Sequence, residues 1–122
     1  MNKSDNFDRG FRTPATTQER NRANLQKWCD LAVGMQAIRG QWKASILMVL
    51  SETESDIPAL QGRLAVADRR VLVRALRELE KDRLVERSAG GTRYSLTSDG
   101  SQVIEILGDI ARWQRARRKT GA

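Results

Sequence analysis

A chain of 122 residues, 39% hydrophobic and 30% charged, is long enough for one domain with a real core and too short for two. Its net charge of +7 asks for a polyanionic partner, and the absence of histidine removes the commonest general base and metal ligand. No apolar run reaches membrane-spanning length, no signal-peptide pattern opens the chain, and the single Cys29 excludes an internal disulfide, so a reducing cytoplasm is the expected setting.

Residues 1–17 are polar, carry Gly10 and Pro14, and read as a flexible tail ahead of a domain at 18–119. From Gln18 to Ile38 apolar residues recur three or four apart (Leu25, Trp28, Cys29, Ala32, Met35, Ile38), which predicts a helix. Gly40 ends it, and Trp42 to Leu50 predicts a short, very apolar helix at the centre of the core. "SETESDIPAL" starts another, with Ser55 or Asp56 as its cap and Pro58 in a first turn that needs no backbone N–H there. Ile57, Leu60 and Leu64 form its buried stripe. After the brief turn Ala65–Ala67, Asp68 caps "RRVLVRALRELEK", which makes the pair a helix-turn-helix.

That last helix has two faces. At 100° per residue, Arg70, Arg74, Arg77 and Lys81 fall within roughly 60° of one another, opposite Leu72, Ala75, Leu76 and Leu79. A solvated helix stitched by local ion pairs explains some of this, at about 0.2–0.5 kcal/mol per pair. It does not explain Arg69 and Arg70 in the first turn, where the helix dipole disfavours cations and an incoming phosphate would welcome them. From Asp68 to Arg93 eight basic residues stand against five acidic ones, and most of the excess lies on this face. Double-stranded DNA is the partner this pattern favours, with Asp68, Arg69, Arg70, Val73, Arg74, Arg77 and Lys81 as the contact set. A basic face docking an acidic protein, or binding nucleic acid without sequence preference, are the competing readings.

Two β-compatible runs, Leu84–Arg87 and Arg93–Thr97, flank Gly90-Gly91 and predict a hairpin. It is either a wing whose Arg87 and Arg93 reach DNA or a hairpin that merely finishes the sheet. Ser98 to Arg118 predicts a long helix with Val103, Ile106, Leu107, Ile110 and Trp113 in a stripe and a cluster of cations at its end. The fold class is thus mainly α with a small β-hairpin wing: a winged helix-turn-helix with N- and C-terminal helices, about 18–39 and 98–118, whose broad apolar faces call for a homodimer. No Gly-rich phosphate loop or metal-ligand cluster is present, so no cofactor or metal is expected and an enzyme is the poorest reading.

Cys29 ahead of "GQW", then "ILMVL", "VLVRALRELEKDRLVER" and "YSLTSDG", together resemble the HxlR-type winged-helix regulators, relatives of the MarR-like repressors; the likeness runs from about Cys29 to Trp113. The resemblance implies a homodimeric, nucleoid-associated bacterial transcription factor whose first and last helices dimerise. A two-fold dimer would present two copies of the arginine-faced helix to successive major grooves, roughly 34 Å apart, which predicts a palindromic operator, and a small-molecule or electrophile effector is the candidate trigger for release. Cys29 aligns with the cysteine that many such regulators use to sense oxidants or electrophiles, which makes it a candidate redox sensor; its place on the apolar stripe beside Leu25 and Ala32, and the neighbouring Asp30, favour a buried, inert thiol. Trp28 and Trp113 are candidates to line a pocket for a flat aromatic effector, with plain packing as the alternative. The chain departs from the family pattern at Gln41 (usually Lys), Asp68 (usually Ser) and Arg83 (usually Gly), and its wing is shorter and lacks the usual Pro.

Overall fold

The structure is a computed structural model that describes residues 16–121, so the tail expected at 1–17 falls, up to residue 15, outside the described residues. Two compact units are present, one ending at Met35 and the other beginning at Gln36. Among the described residues the first contains one helix, α1 (Thr17–Ile38), whose last three residues belong to the second unit. Its start is a capping box: Thr16 Oγ1 accepts from Glu19 N at 3.1 Å while Glu19 Oε1 accepts from Thr16 N at 3.3 Å. Every side chain from Thr16 to Gln36 is exposed, Leu25, Trp28, Leu31, Val33 and Met35 included.

The second unit contains α2 (Lys43–Glu52), α3 (Ile57–Leu64), α4 (Arg69–Lys81), β1 (Val85–Arg87), β2 (Tyr94–Leu96) and α5 (Ser98–Gly121). As its composition predicts, α2 is the hub: Ile46, Leu47, Val49 and Leu50 are buried, and α3, α4, α5 and β2 all pack on it. Leu60 of α3 and Leu72, Leu76 and Leu79 of α4 complete a core closed by Val66, Leu84, Val85 and Tyr94. Each fully buried leucine of this kind contributes roughly 1.5–3 kcal/mol relative to exposure.

Asp56, rather than Ser55, caps α3, accepting from Ala59 N at 2.9 Å. Ser55 is buried and exchanges two backbone hydrogen bonds with Tyr94 (3.0 and 2.8 Å), which bridge the segment before α3 to β2. The turn between α3 and α4 is braced from within: Gln61 Nε2 donates to the carbonyls of both Val66 and Ala67 at 3.3 Å. Antiparallel β1 and β2 pair Val85 with Leu96 and Arg87 with Tyr94, closed by a Ser88–Gly91 turn in which Gly91 takes φ +75°.

Two features join this hairpin to its neighbours. At the end of α4, Leu84 N donates to Leu79 O and Arg83 N to Glu80 O, both at 3.0 Å, with Arg83 at φ +61° between them. This is a Schellman ending in which an arginine occupies the position that favours glycine. At the start of α5, Gly100 lies so close to β1 that a Cβ there would meet Leu84 O at 2.1 Å. Thr97 fixes that approach through its N–H to Leu84 O (3.1 Å) and its hydroxyl to Arg83 O (2.6 Å).

α5 rests on the core through Val103, Ile104 and Leu107. Ile106, Ile110 and Trp113, expected in the same stripe as Val103 and Leu107, are exposed.

Candidate nucleic-acid interface

Asp68 opens α4 as the sequence predicts, its Oδ1 accepting from Arg70 N at 3.0 Å. With Leu72, Leu76 and Leu79 turned into the core, helical geometry forces Arg70, Arg74, Arg77 and Lys81 outward, and all four are exposed. Arg69, Arg70, Arg74 and Arg77 surround an open concavity of about 560 Å³, with the half-buried Val73 among them. Arg69 also borders a second hollow, shared with Asp56, Ile57 and Pro58 of the α3 start and Gly91, Thr92 and Tyr94 of the hairpin. Arg69 thus stands between the basic face of α4 and an uncharged hairpin tip.

Within it the arginines are not equivalent. The Arg70 guanidinium folds back on Asp68, with Nε 3.2 Å from Oδ1 and Nη2 3.3 Å from Oδ2. That contact holds the Asp68 carboxyl below its ordinary range, first through the side-chain hydrogen bond from Arg70, and raises Arg70 for the same reason. Arg74 approaches Glu78 only to 3.8 Å, and Arg69 and Arg77 have no side-chain partner among the described residues.

The two hairpin arginines differ from the wing reading. Arg87 donates to Glu80 at 2.9 Å and lies over the Tyr94 ring, and Glu80 raises its pKa. Arg93 donates to the Glu54 carboxylate at 2.8 Å and to the Glu54 carbonyl at 3.1 Å. Both guanidiniums thus fasten the hairpin to α4 and to the segment before α3. The tip itself, Ala89–Thr92, carries no charge.

Sequence reasoning missed the residues that seat α4. Lys43 is buried, donates to Glu78 Oε1 at 2.8 Å and to Gln36 O at 3.3 Å, and so ties α2 to both α4 and the end of α1. The hydrogen bond from Lys43 is also the main reason that the Glu78 carboxyl sits below its usual range. A cation in an otherwise apolar α2 was the available signal. A further hollow, lined by Arg39, Gln41, Trp42 and Arg74 among others, adds Arg39 to the positive surface beside α4.

Cys29, expected to be buried, is exposed on α1. Trp28 and Trp113 are likewise exposed on their own helices, and Trp113 stacks with Arg117 at 4.7 Å. No described helix is long and apolar enough to cross a membrane, and the described residues contain no cluster of three or more metal-ligating side chains.

Two short helices joined by a braced turn, a hairpin after the second, and an outward arginine face on that second helix define a winged helix-turn-helix of the DNA-binding class. Residues 37–121 match the HxlR-like helix-turn-helix family model, and the chain belongs to that family. It is 31% identical over 90 residues, 70% of this chain and 69% of the relative, to an HTH-type transcriptional regulator of Methanothermobacter thermautotrophicus. Among solved structures, a MarR-family transcriptional regulator from Enterococcus faecalis V583 superposes with a TM-score of 0.71 at 28% identity, covering 76% of this chain and 89% of that one. The quinone-bound YodB of B. subtilis has the same fold (TM-score 0.66, 20% identity, 71% and 97% covered). The family and these relatives are transcription regulators, so this chain is a DNA-binding transcriptional regulator and not an enzyme.

Proposed function

We propose that the chain acts as a homodimeric repressor, each copy laying α4 in a major groove of a palindromic operator. One observation carries this: the buried leucines of α4 leave Arg69, Arg70, Arg74 and Arg77 facing out around a single open concavity. Arg69, Arg74 and Arg77 hold phosphates in this reading, Val73 and Lys81 flank the contact, and Arg87 and Arg93 keep the hairpin in place beside it. Each phosphate neutralised releases counterions, so the affinity must fall steeply with salt.

Dimerisation draws on the apolar residues left uncovered on α1 (Leu25, Trp28, Leu31, Met35) and on α5 (Ile106, Ile110, Trp113). A second copy burying them would present two recognition helices roughly 34 Å apart. The decisive experiment selects bound duplexes from a randomised pool and compares the winner with its scrambled version at several salt concentrations. A palindromic winner bound at least about a thousandfold more tightly supports the proposal. Equal affinity for both would reduce the chain to a sequence-blind binder. Sedimentation must give a dimer, and Trp28→Glu or Ile110→Glu must give a monomer.

The exposure of Cys29 favours keeping release by thiol modification within this reading. Cys29→Ser should bind the selected duplex as the parent does and no longer release it on treatment with diamide or a quinone. Unchanged release by that variant removes the thiol from the mechanism.

A further inference from the structure

Resting on the reading of α4 as the DNA-contacting helix, the geometry points to Asp68 and Arg70 as a guanine-reading pair: the carboxylate braces the guanidinium so that its free edge meets O6 and N7 of one guanine in each half-site.

Arginine has five N–H donors in one plane. Asp68 takes Nε–H through Oδ1 at 3.2 Å and one Nη2–H through Oδ2 at 3.3 Å. The Nη1 pair and the outer Nη2–H stay free on the far edge, spaced for two neighbouring acceptors. The side chain is 91% exposed at the first turn of α4, so no described residue covers that edge. Asp68 does not drift, because the same Oδ1 also accepts from Arg70 N at 3.0 Å as the helix cap. The pair is therefore anchored to backbone at one end and open at the other.

Bracing has two consequences. A free arginine loses rotamer freedom when it docks, whereas Arg70 has given up most of its freedom beforehand, which sharpens discrimination between bases. The pair is also electrically neutral, and its carboxylate would repel a phosphate placed against it, so Arg70 is the poorest phosphate ligand on the face. Guanine offers two acceptors in the major groove; adenine puts an amino donor beside N7 and would face donor with donor. Arg69 and Arg77, with no such brace, and Arg74, with only a loose one, keep full charge for the backbone.

The test repeats duplex selection from a randomised pool with the full chain, Arg70→Ala, Asp68→Asn and Arg74→Ala. Asparagine keeps an oxygen for the helix cap and removes the charge that grips Arg70. The parent should select a guanine at one symmetric position, preferred over adenine by about 5–150-fold. Arg70→Ala should abolish that preference and leave the rest of the motif. Asp68→Asn should weaken it severalfold while binding scrambled duplex at least as tightly as the parent. Arg74→Ala should weaken all duplexes evenly. If Arg70→Ala lowers affinity with the motif intact, the inference falls while sequence-specific binding stands. If Asp68→Asn leaves the guanine preference unchanged, the bracing is wrong. A parent pool that never converges overturns the inference together with the operator-binding reading.

Discussion

Gly100→Ala places one methyl group where α5 meets the base of the hairpin, and its cost can be worked from distances. The new Cβ would lie 2.1 Å from Leu84 O, 3.2 Å from Leu84 C and 3.3 Å from Leu96 Cδ2. An ordinary carbon–oxygen contact needs more than 3 Å, so the first turn of α5 must retreat from β1 by roughly 1 Å. That movement stretches the hydrogen bonds of Thr97 to Leu84 O (3.1 Å) and to Arg83 O (2.6 Å), at about 0.5–1.5 kcal/mol each. Repacking around buried Leu84 adds about 1–3 kcal/mol, and the better helix propensity of alanine returns at most about 1 kcal/mol. The expected net loss is about 1–6 kcal/mol, which for a domain of this size lowers Tm by at least roughly 5 °C. Thermal unfolding followed by circular dichroism measures it, with Gly108→Ala as the matched control. Gly108 is also helical, but its nearest neighbour is the flexible end of Arg112 at 3.4 Å, so alanine there should hold or raise Tm. A Gly100→Ala protein melting within about 3 °C of the parent would refute the close-approach reasoning.

Arg83→Gly should do the opposite, since it relieves an arginine at φ +61° in the Schellman ending of α4; a gain of about 1 kcal/mol in urea unfolding is expected, and a loss would show that the Arg83 side chain has a role of its own. Arg87→Ala and Arg93→Ala, which sever ties to Glu80 and Glu54, should lower DNA affinity less than Arg77→Ala in anisotropy titrations, and should lower Tm where Arg77→Ala does not. Glu78 has a depressed pKa in the folded state, so its contribution is present at neutral pH and is lost as pH falls below about 4. Glu78→Gln should therefore flatten the acid limb of the stability-against-pH curve while lowering the urea midpoint at pH 7, because the buried Lys43 loses its counter-charge. An acid limb identical to that of the parent would remove the Lys43–Glu78 pair from the account.

Much of the basic face is legible without coordinates because it depends on short-range periodicity. A helix rotates 100° per residue, so the spacing of Leu72, Leu76 and Leu79 dictates that Arg70, Arg74, Arg77 and Lys81 face outward once the leucines find a core. Asp68 as cap, Gly91 in the turn and the order of elements follow equally from residues within a few positions of one another. The apolar spacing along α1 and the far half of α5 is just as regular, yet it does not reveal what covers those faces: Cys29, whose stripe favoured a buried thiol, is exposed, and so is Trp113.

What each arginine does was decided by tertiary structure. Arg93 finds Glu54 across 39 residues of sequence, and Arg87 finds Glu80 only because the Schellman turn at Arg83 folds β1 back along α4. Lys43, charged inside an apolar helix, is buried because Glu78 and the Gln36 carbonyl converge on it from two other elements. Periodicity fixes the face on which a side chain lies, since that is a property of one helix. Which carboxylate meets a given guanidinium depends on where separate elements come to rest on a shared core, and no local pattern encodes that.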